Sequence, residues 1–242
     1  MGAITKYLRK KVLNIEYLPS IACADQLRLA DQINELLEMG FFCLHFDIMD
    51  GHYVDNLCLN FDTGNRIKRE FPHVKLDAHM MVTNPEDYIE RMEQMGVYRL
   101  AFHLDSAHDP SSLIDEIQQC GIKAGVVLNP DQQVSQLSSL LKKIDFVVLM
   151  SIKPGFPGVK FLDSTYDTLD ELAVIRAECG LGFLISIDGG ITPEIAAELP
   201  LHGADILIMG YLTLFQPGGL AASWKRSLAI IEDKQSRLVN KP

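Results

Sequence analysis

Eight short apolar runs recur along the chain, each followed by an amphipathic or turn-rich segment, and this alternation limits the fold more than any other feature. The runs cover residues 16–23, 41–47, 75–80, 98–104, 123–128, 144–150, 183–187 and 206–209, with ends roughly 22 to 37 residues apart. Strands separated by helices cannot meet through hairpins, so they pair in parallel. Eight such units imply a single-domain (β/α)8 TIM barrel, an α/β fold, and 242 residues suit it. Helices are expected over 25–39, 61–70, 84–95, 109–120, 129–143, 163–179, a short stretch from 192, and 220–234. Asp25, Asn84-Pro85, Asp109-Pro110, Asn129-Pro130 and Thr192-Pro193 supply starts; Gly40, Pro72, Gly96 and Gly121 supply stops. Residues 1–14 are expected as an N-terminal extension outside the barrel, and 15–242 as one catalytic barrel domain.

Composition narrows the function class. The net charge of −10 argues against a nucleic-acid surface, and an anionic substrate would need a local positive or backbone N–H site. The five cysteines, Cys23, Cys43, Cys58, Cys120 and Cys179, are scattered with no C-x-x-C pair, which fits reduced thiols in a cytoplasmic protein. Lys6, Arg9, Lys10 and Lys11 before an apolar stretch imitate a secretory signal, but Asn14, Glu16 and Pro19 interrupt it. Lys6 stands where a myristoylation motif wants Ser or Thr, and no run reaches the ~18 apolar residues of a membrane helix.

In such a barrel, chemistry sits at the C-terminal ends of the strands and their loops. Polar or special residues there are Ser20, His45, Asp47, Asp77, His79, His103, Asp105, Asn129, Ser151, Asp188-Gly189-Gly190 and Gly210. His45 and Asp47 are two apart on a strand and share a face. Alone they read equally well as a core histidine beside a loop-capping aspartate. With His79 and Asp188 converging on the same mouth, two imidazoles and two carboxylates match a site for one divalent ion, zinc first, with iron or manganese as alternatives. Such an ion could polarise a carbonyl and hold an enediolate, and two aspartates across a substrate allow proton removal on one face and delivery on the other.

The chain resembles the ribulose-phosphate 3-epimerase family from about residue 18 to 234. The resemblance rests on Pro19-Ser20-Ile21, the stretch from His45 through Asp47 and Met49 to His52, and Asp77-Ala78-His79-Met80-Met81. It continues through Lys123 to Pro130, Met150 to Phe156, and Asp188-Gly189-Gly190. It implies a homodimer or higher homo-oligomer acting on a small sugar phosphate, with a metal on His45, Asp47, His79 and Asp188. It implies Asp47 and Asp188 as the acid/base pair of a 1,1-proton transfer at carbon 3 of a ketose phosphate. Ser20 is implied to touch substrate, with His79, and Met49 and Met81 to wall the enediolate. Phosphate is implied to sit on three turns: Gly155, Phe156 and Gly158; Gly189 and Gly190; Gly210 and Tyr211.

The chain departs from that pattern at the phosphate end. The family's Pro-Gly-Phe-Gly-Gly-Gln is here Pro154-Gly155-Phe156-Pro157-Gly158-Val159, so proline removes one N–H donor and valine replaces the glutamine. Tyr211 stands where the family ends Gly-Ser, and Asp55 where it has proline. Lys153 and Lys160 flank the first turn and read as solvated loop charges. The departures suggest a paralogue with retained epimerase chemistry on another ketose, such as a hexulose 6-phosphate or an unphosphorylated sugar. A non-catalytic sugar-phosphate-binding protein is the non-enzyme alternative. Lysine-dependent decarboxylases and aldolases of this fold want Asp-x-Lys-x-x-Asp, and Met49 occupies the lysine position after Asp47.

Overall fold

The computed structural model describes residues 15–156 and 158–239. The expected extension over 1–14 and Pro157 lie outside the described residues. Among the described residues, nine strands form one sheet: β1 (Glu16–Pro19), β2 (Cys43–Asp50), β3 (Leu57–Cys58), β4 (Lys75–Met81), β5 (Arg99–His103), β6 (Lys123–Leu128), β7 (Phe146–Met150), β8 (Leu184–Asp188) and β9 (Ile206–Met209). Their order is β1-β9-β8-β7-β6-β5-β4-β2-β3, and all neighbours are parallel except the β2–β3 hairpin. The ring closes where Ser20, just past β1, makes an isolated parallel bridge to His45 in β2. Eight parallel strands therefore close a TIM barrel, as the alternation requires, and β3 adds a short antiparallel flap at its mouth.

The described helices are α1 (Leu29–Glu38), α2 (Phe61–Glu70), α3 (Ile89–Met95), α4 (Pro110–Gln119), α5 (Ser164–Glu178), α6 (Pro193–Glu198) and α7 (Leu220–Val239). Asn60, Asp109 and Thr192 accept backbone N–H groups at the starts of α2, α4 and α6, each meeting donors that a helix leaves open. Strand residues alternate faces: Leu44, Phe46 and Ile48 join the helix-facing core, which leaves His45, Asp47 and Met49 for the barrel interior. The floor of the interior is filled by Phe146, whose ring needs Gly125 beside it. A Cβ there would come within 2.4 Å of that ring.

Three expectations are corrected. The extended run over 16–23 stops early: Ile21–Cys23 is a 3-10 turn, and Ile21 is apolar because it is buried in the outer core, not because it extends a strand. The helices expected from 25 and from 84 each begin with a 3-10 turn, Gln26–Arg28 and Pro85–Tyr88. The helix expected over 129–143 is replaced by a 3-10 turn at Val134–Leu137 and further turns. There the Gln132 side chain accepts from Asn129 N, that of Gln136 from Gln133 N, and Ser138 Oγ donates to Ser135 O. Side chains thus satisfy the backbone locally and compete with helix, while Val134, Leu137, Leu140 and Leu141 still reach the core.

Candidate active site

The period of two that sorts core from interior also builds the site. His45 and Asp47 point inward from β2, and β4 runs beside it in register, pairing His45 with Asp77, Asp47 with His79, and Met49 with Met81. Asp188 ends β8 across the barrel, where both Ser151 N and Ser151 Oγ donate to its backbone carbonyl. His45, Asp47 and His79 are buried, and Asp188 is partly open to the mouth.

Each ring aims one nitrogen at the same pair of carboxylates. His45 Nε2 lies 3.3 Å from Asp47 Oδ1 and 3.5 Å from Asp188 Oδ2. His79 Nδ1 lies 3.4 and 3.3 Å from the same two oxygens. Both nitrogens are buried without a hydrogen-bond partner. All four ligand atoms fall within 4.8 Å of one another. A tetrahedral ion held at about 2.0–2.1 Å sets its ligand atoms about 3.3–3.4 Å apart, so the four imidazole–carboxylate separations fit one divalent ion. Two orphaned imidazole nitrogens facing two carboxylates are the donor set such an ion takes.

The charges are mutually adjusted. Burial opposes the cationic form of His45, but Asp47, Asp188 and Asp77 outweigh it and hold the ring well above its usual range. His79 is raised in the same way, burial being overcome by Asp188 and Asp47. The Asp47 and Asp188 carboxyls are held low against burial by the two rings, with Asp47 itself opposing ionisation of Asp188. Both acids are thus anions at neutral pH. A cation bound here would take over the role that ring protons fill.

Supporting residues orient this cluster. Ser20 Oγ donates to Asp47 Oδ2 over 2.8 Å, leaving Oδ1 for the imidazoles. Asp77 Oδ1 meets His45 Nδ1 at 2.8 Å, and Asp77 Oδ2 meets Arg99 Nε at 2.6 Å. Arg99 in turn makes two 3.0 Å bonds to Glu16. His79 Nε2 lies 2.9 Å from His103 Nε2. Burial and the neighbouring His79 push His103 well below its usual range, so its ring is neutral. Sequence reasoning placed Asp77 and His103 at strand ends without giving either a role. Asp77 had a local signal, since it stands two residues before His79 on one strand.

Above the cluster opens a pocket of about 480 Å³. Ser20, Asp47, Met49, Met81 and Asp188 form its inner part, and Met150 joins the two expected methionines. The three turns named from the sequence meet there: Gly155, Phe156 and Gly158; Gly189 and Gly190; Gly210 and Tyr211. Gly190 must be glycine: its φ is +61°, and a Cβ would sit 2.6 Å from Phe161 N. His45 and His79 lie beneath the pocket rather than on its wall. The opposite wall takes Cys23 from the turn after β1, Asn56 and Cys58 from the β2–β3 hairpin and Asn60 from the capped start of α2, none of which the sequence singled out for the site. Among the described residues, no lysine or arginine lines the pocket, and Lys153 and Lys160 are exposed beside it.

The sequence matches the model of the Ribulose-phosphate 3 epimerase family over residues 16–214. The chain belongs to that family. The ribulose-phosphate 3-epimerase of Aquifex aeolicus (strain VF5) is 34% identical over 192 residues, covering 79% of this chain and 86% of that protein. The ribulose-phosphate 3-epimerase of Chlamydia pneumoniae is 35% identical over 214 residues, covering 88% and 93%. Among solved structures, a mutant tryptophan synthase α-subunit from Pyrococcus furiosus superposes with a TM-score of 0.63 at 13% identity, covering 92% of this chain and 97% of that one. Phosphoribosyl anthranilate isomerase from Thermus thermophilus gives 0.60 at 15%, covering 93% and 100%. Those two likenesses concern the fold alone. Membership of the ribulose-phosphate 3-epimerase family makes this chain an isomerase of the carbohydrate-epimerase class. Among the described residues no helix is long and apolar enough to cross a membrane.

Proposed function

We propose that the chain inverts carbon 3 of a ketose phosphate by a 1,1-proton transfer between Asp47 and Asp188, passing through an enediolate. The observation that carries this reading is the pair of carboxylates at the floor of one pocket, both held as anions against the same two buried imidazoles. Asp47 and Asp188 stand on opposite strands, so a sugar between them offers one face of its carbon to each. One takes the proton and the other returns a proton to the opposite face, and for the reverse epimer they exchange roles. The Ser20 hydroxyl on Asp47 Oδ2 fixes the rotation of that carboxylate. Met49, Met81 and Met150 keep water from the planar intermediate with polarisable, uncharged walls. His45, Asp47, His79 and Asp188 would hold one divalent ion, zinc first, with iron or manganese as alternatives, and it would supply positive charge where negative charge develops. The glycine turns offer backbone N–H groups to phosphate.

Replacing Asp188 with Asn should abolish epimerisation and leave at most one epimer able to exchange its carbon-bound proton with deuterated solvent. Exchange from both epimers at the native rate would remove Asp188 from the acid/base pair. Metal analysis of protein purified without added metal adds a second arm. A stoichiometric ion lost in His79→Ala supports the catalytic reading, and a metal-free native protein supports a non-catalytic sugar-phosphate binder.

A second reading concerns the sugar, and the phosphate end of the pocket favours it. Phe156 and Tyr211 are 52% and 51% exposed at the mouth, where the bulk of Tyr211 replaces a family serine, and among the described residues no cationic side chain lines that end. The substrate is then another ketose, a hexulose 6-phosphate or an unphosphorylated sugar. Assay of ribulose 5-phosphate beside these ketoses decides, and highest kcat/KM on ribulose 5-phosphate would discard the second reading.

A further inference from the structure

His79 reaches the metal cluster through Nδ1, and its other nitrogen faces not a carboxylate but the imidazole of His103 at 2.9 Å. Two imidazole nitrogens at that distance share one proton, and which ring owns it decides whether His79 can present a lone pair to an ion. The pair alone does not settle this. The carboxylates that His79 faces through Nδ1 do.

At the far end is Asp105, whose carboxylate only accepts. Tyr53 OH lies 2.8 Å from Asp105 Oδ1 and must donate to it. The Tyr53 oxygen is then an acceptor for Asn129 Nδ2, 2.7 Å away. That fixes the orientation of the Asn129 amide, because the flipped amide would set two acceptors face to face. Asn129 Oδ1 and His103 Nδ1 are both buried with no hydrogen-bond partner, so nothing at Nδ1 fixes the tautomer of His103. His79 sets the direction: its Nδ1 faces Asp47 and Asp188, where an ion would take a lone pair, so its proton belongs on Nε2 and His103 Nε2 accepts it. Tyr53 also covers the His103 ring, with centroids 4.5 Å apart.

We propose that His103 is a positioning residue for the metal centre: it accepts the His79 Nε2–H and so holds His79 in the tautomer whose Nδ1 lone pair faces Asp47 and Asp188. Asp105, Tyr53 and Asn129 form a hydrogen-bonded row at the barrel mouth, and Tyr53 packs on the His103 ring and holds it in place. His45 receives its orientation differently, from the Asp77 carboxylate. The two histidine ligands thus rest on an anion and on a neutral ring, respectively. Partners behind metal-bound histidines of this kind are worth about 10–100-fold in metal affinity.

The inference rests on the proposed metal site, and the experiment separates the two. Zinc affinity is measured by chelator competition on the full chain and on His103→Leu and His103→Gln, with cobalt(II) absorption and thermal melting recorded on each. Leucine fills the space without an acceptor, and the glutamine amide oxygen restores one. His103→Leu should bind zinc about 10–100-fold more weakly with altered cobalt bands, and His103→Gln should recover most of the affinity. Equal affinity in His103→Leu and the native chain overturns the role of His103 while leaving the metal site standing. Equal weakening in both variants, each folded by its melting transition, overturns the acceptor argument. A native chain that binds no zinc or cobalt overturns the metal reading and this inference with it.

Discussion

The Asp77 carboxylate joins His45 Nδ1 at 2.8 Å, and its other oxygen joins the Arg99 guanidinium at 2.6 Å. With Nδ1 donating to Asp77, the lone pair of His45 is left on Nε2, the atom that faces Asp47 and Asp188. Asp77→Asn keeps the shape but loses the charge, so zinc affinity should fall about 10–100-fold by chelator competition. Asp77→Ala should in addition unfold more readily by about 3 kcal/mol, because it strips a partner from the buried Arg99. An Asp77→Asn chain with native affinity would remove Asp77 from the support of the site.

Gly190 tests the turn at the phosphate end. Alanine there meets both the left-handed φ of +61° and a backbone clash with Phe161 N. Gly190→Ala should lose about 1–3 kcal/mol of stability in urea unfolding and raise KM for the substrate more than it changes kcat. Unchanged KM would show that the turn does not carry the phosphate.

Tyr211→Ser restores the hydroxyl that the family carries at this position and opens the mouth of the pocket. KM for ribulose 5-phosphate should fall about tenfold, the worth of one hydrogen bond of roughly 1.4 kcal/mol. If KM is unmoved, Tyr211 does not set the preference among ketoses.

Asp50 ties the loop after β2 to the loop after β4. Its carboxylate accepts His52 N, Tyr53 N, Thr83 N and Thr83 Oγ1, each at 2.8 Å. Partial burial pushes its pKa up, but these donors, Thr83 foremost, outweigh that and bring it from 3.8 to about 2. A carboxyl lowered on folding adds stability that is complete above its unfolded value and is lost as pH falls through its folded value. Asp50→Asn should therefore cost about 1 kcal/mol at pH 7, a modest figure because solvent screens the group. The gap between native and variant chains should close between pH about 4 and about 2 in urea unfolding. A gap constant across that window would assign the effect to shape rather than charge.

Much of this was readable from local pattern. The recurrence of apolar runs gave the number of barrel strands, and the spacing of His45 to Asp47 put both on the inner face. The misreadings share a cause. Ile21 and the segment with Val134 and Leu137 are apolar because the core takes them, and apolarity reports burial without saying whether the backbone is extended, helical or turned. The strength of side-chain bonds around Gln133 and Gln136 against a helix was likewise invisible to a pattern of periods.

The sequence by itself determined that eight strands alternate with covering segments, which residues of each strand look inward, and that two acids and two imidazoles stand at strand ends. Only the tertiary structure decided which of them touch. Closure through Ser20 and His45, the Asp77 contact to His45, and the contact of His79 Nε2 with His103 Nε2 all depend on the register between strands distant in sequence. A strand's own period fixes its inner face, whereas its neighbour's register fixes the partner, and a shift of one residue would exchange every contact in the site.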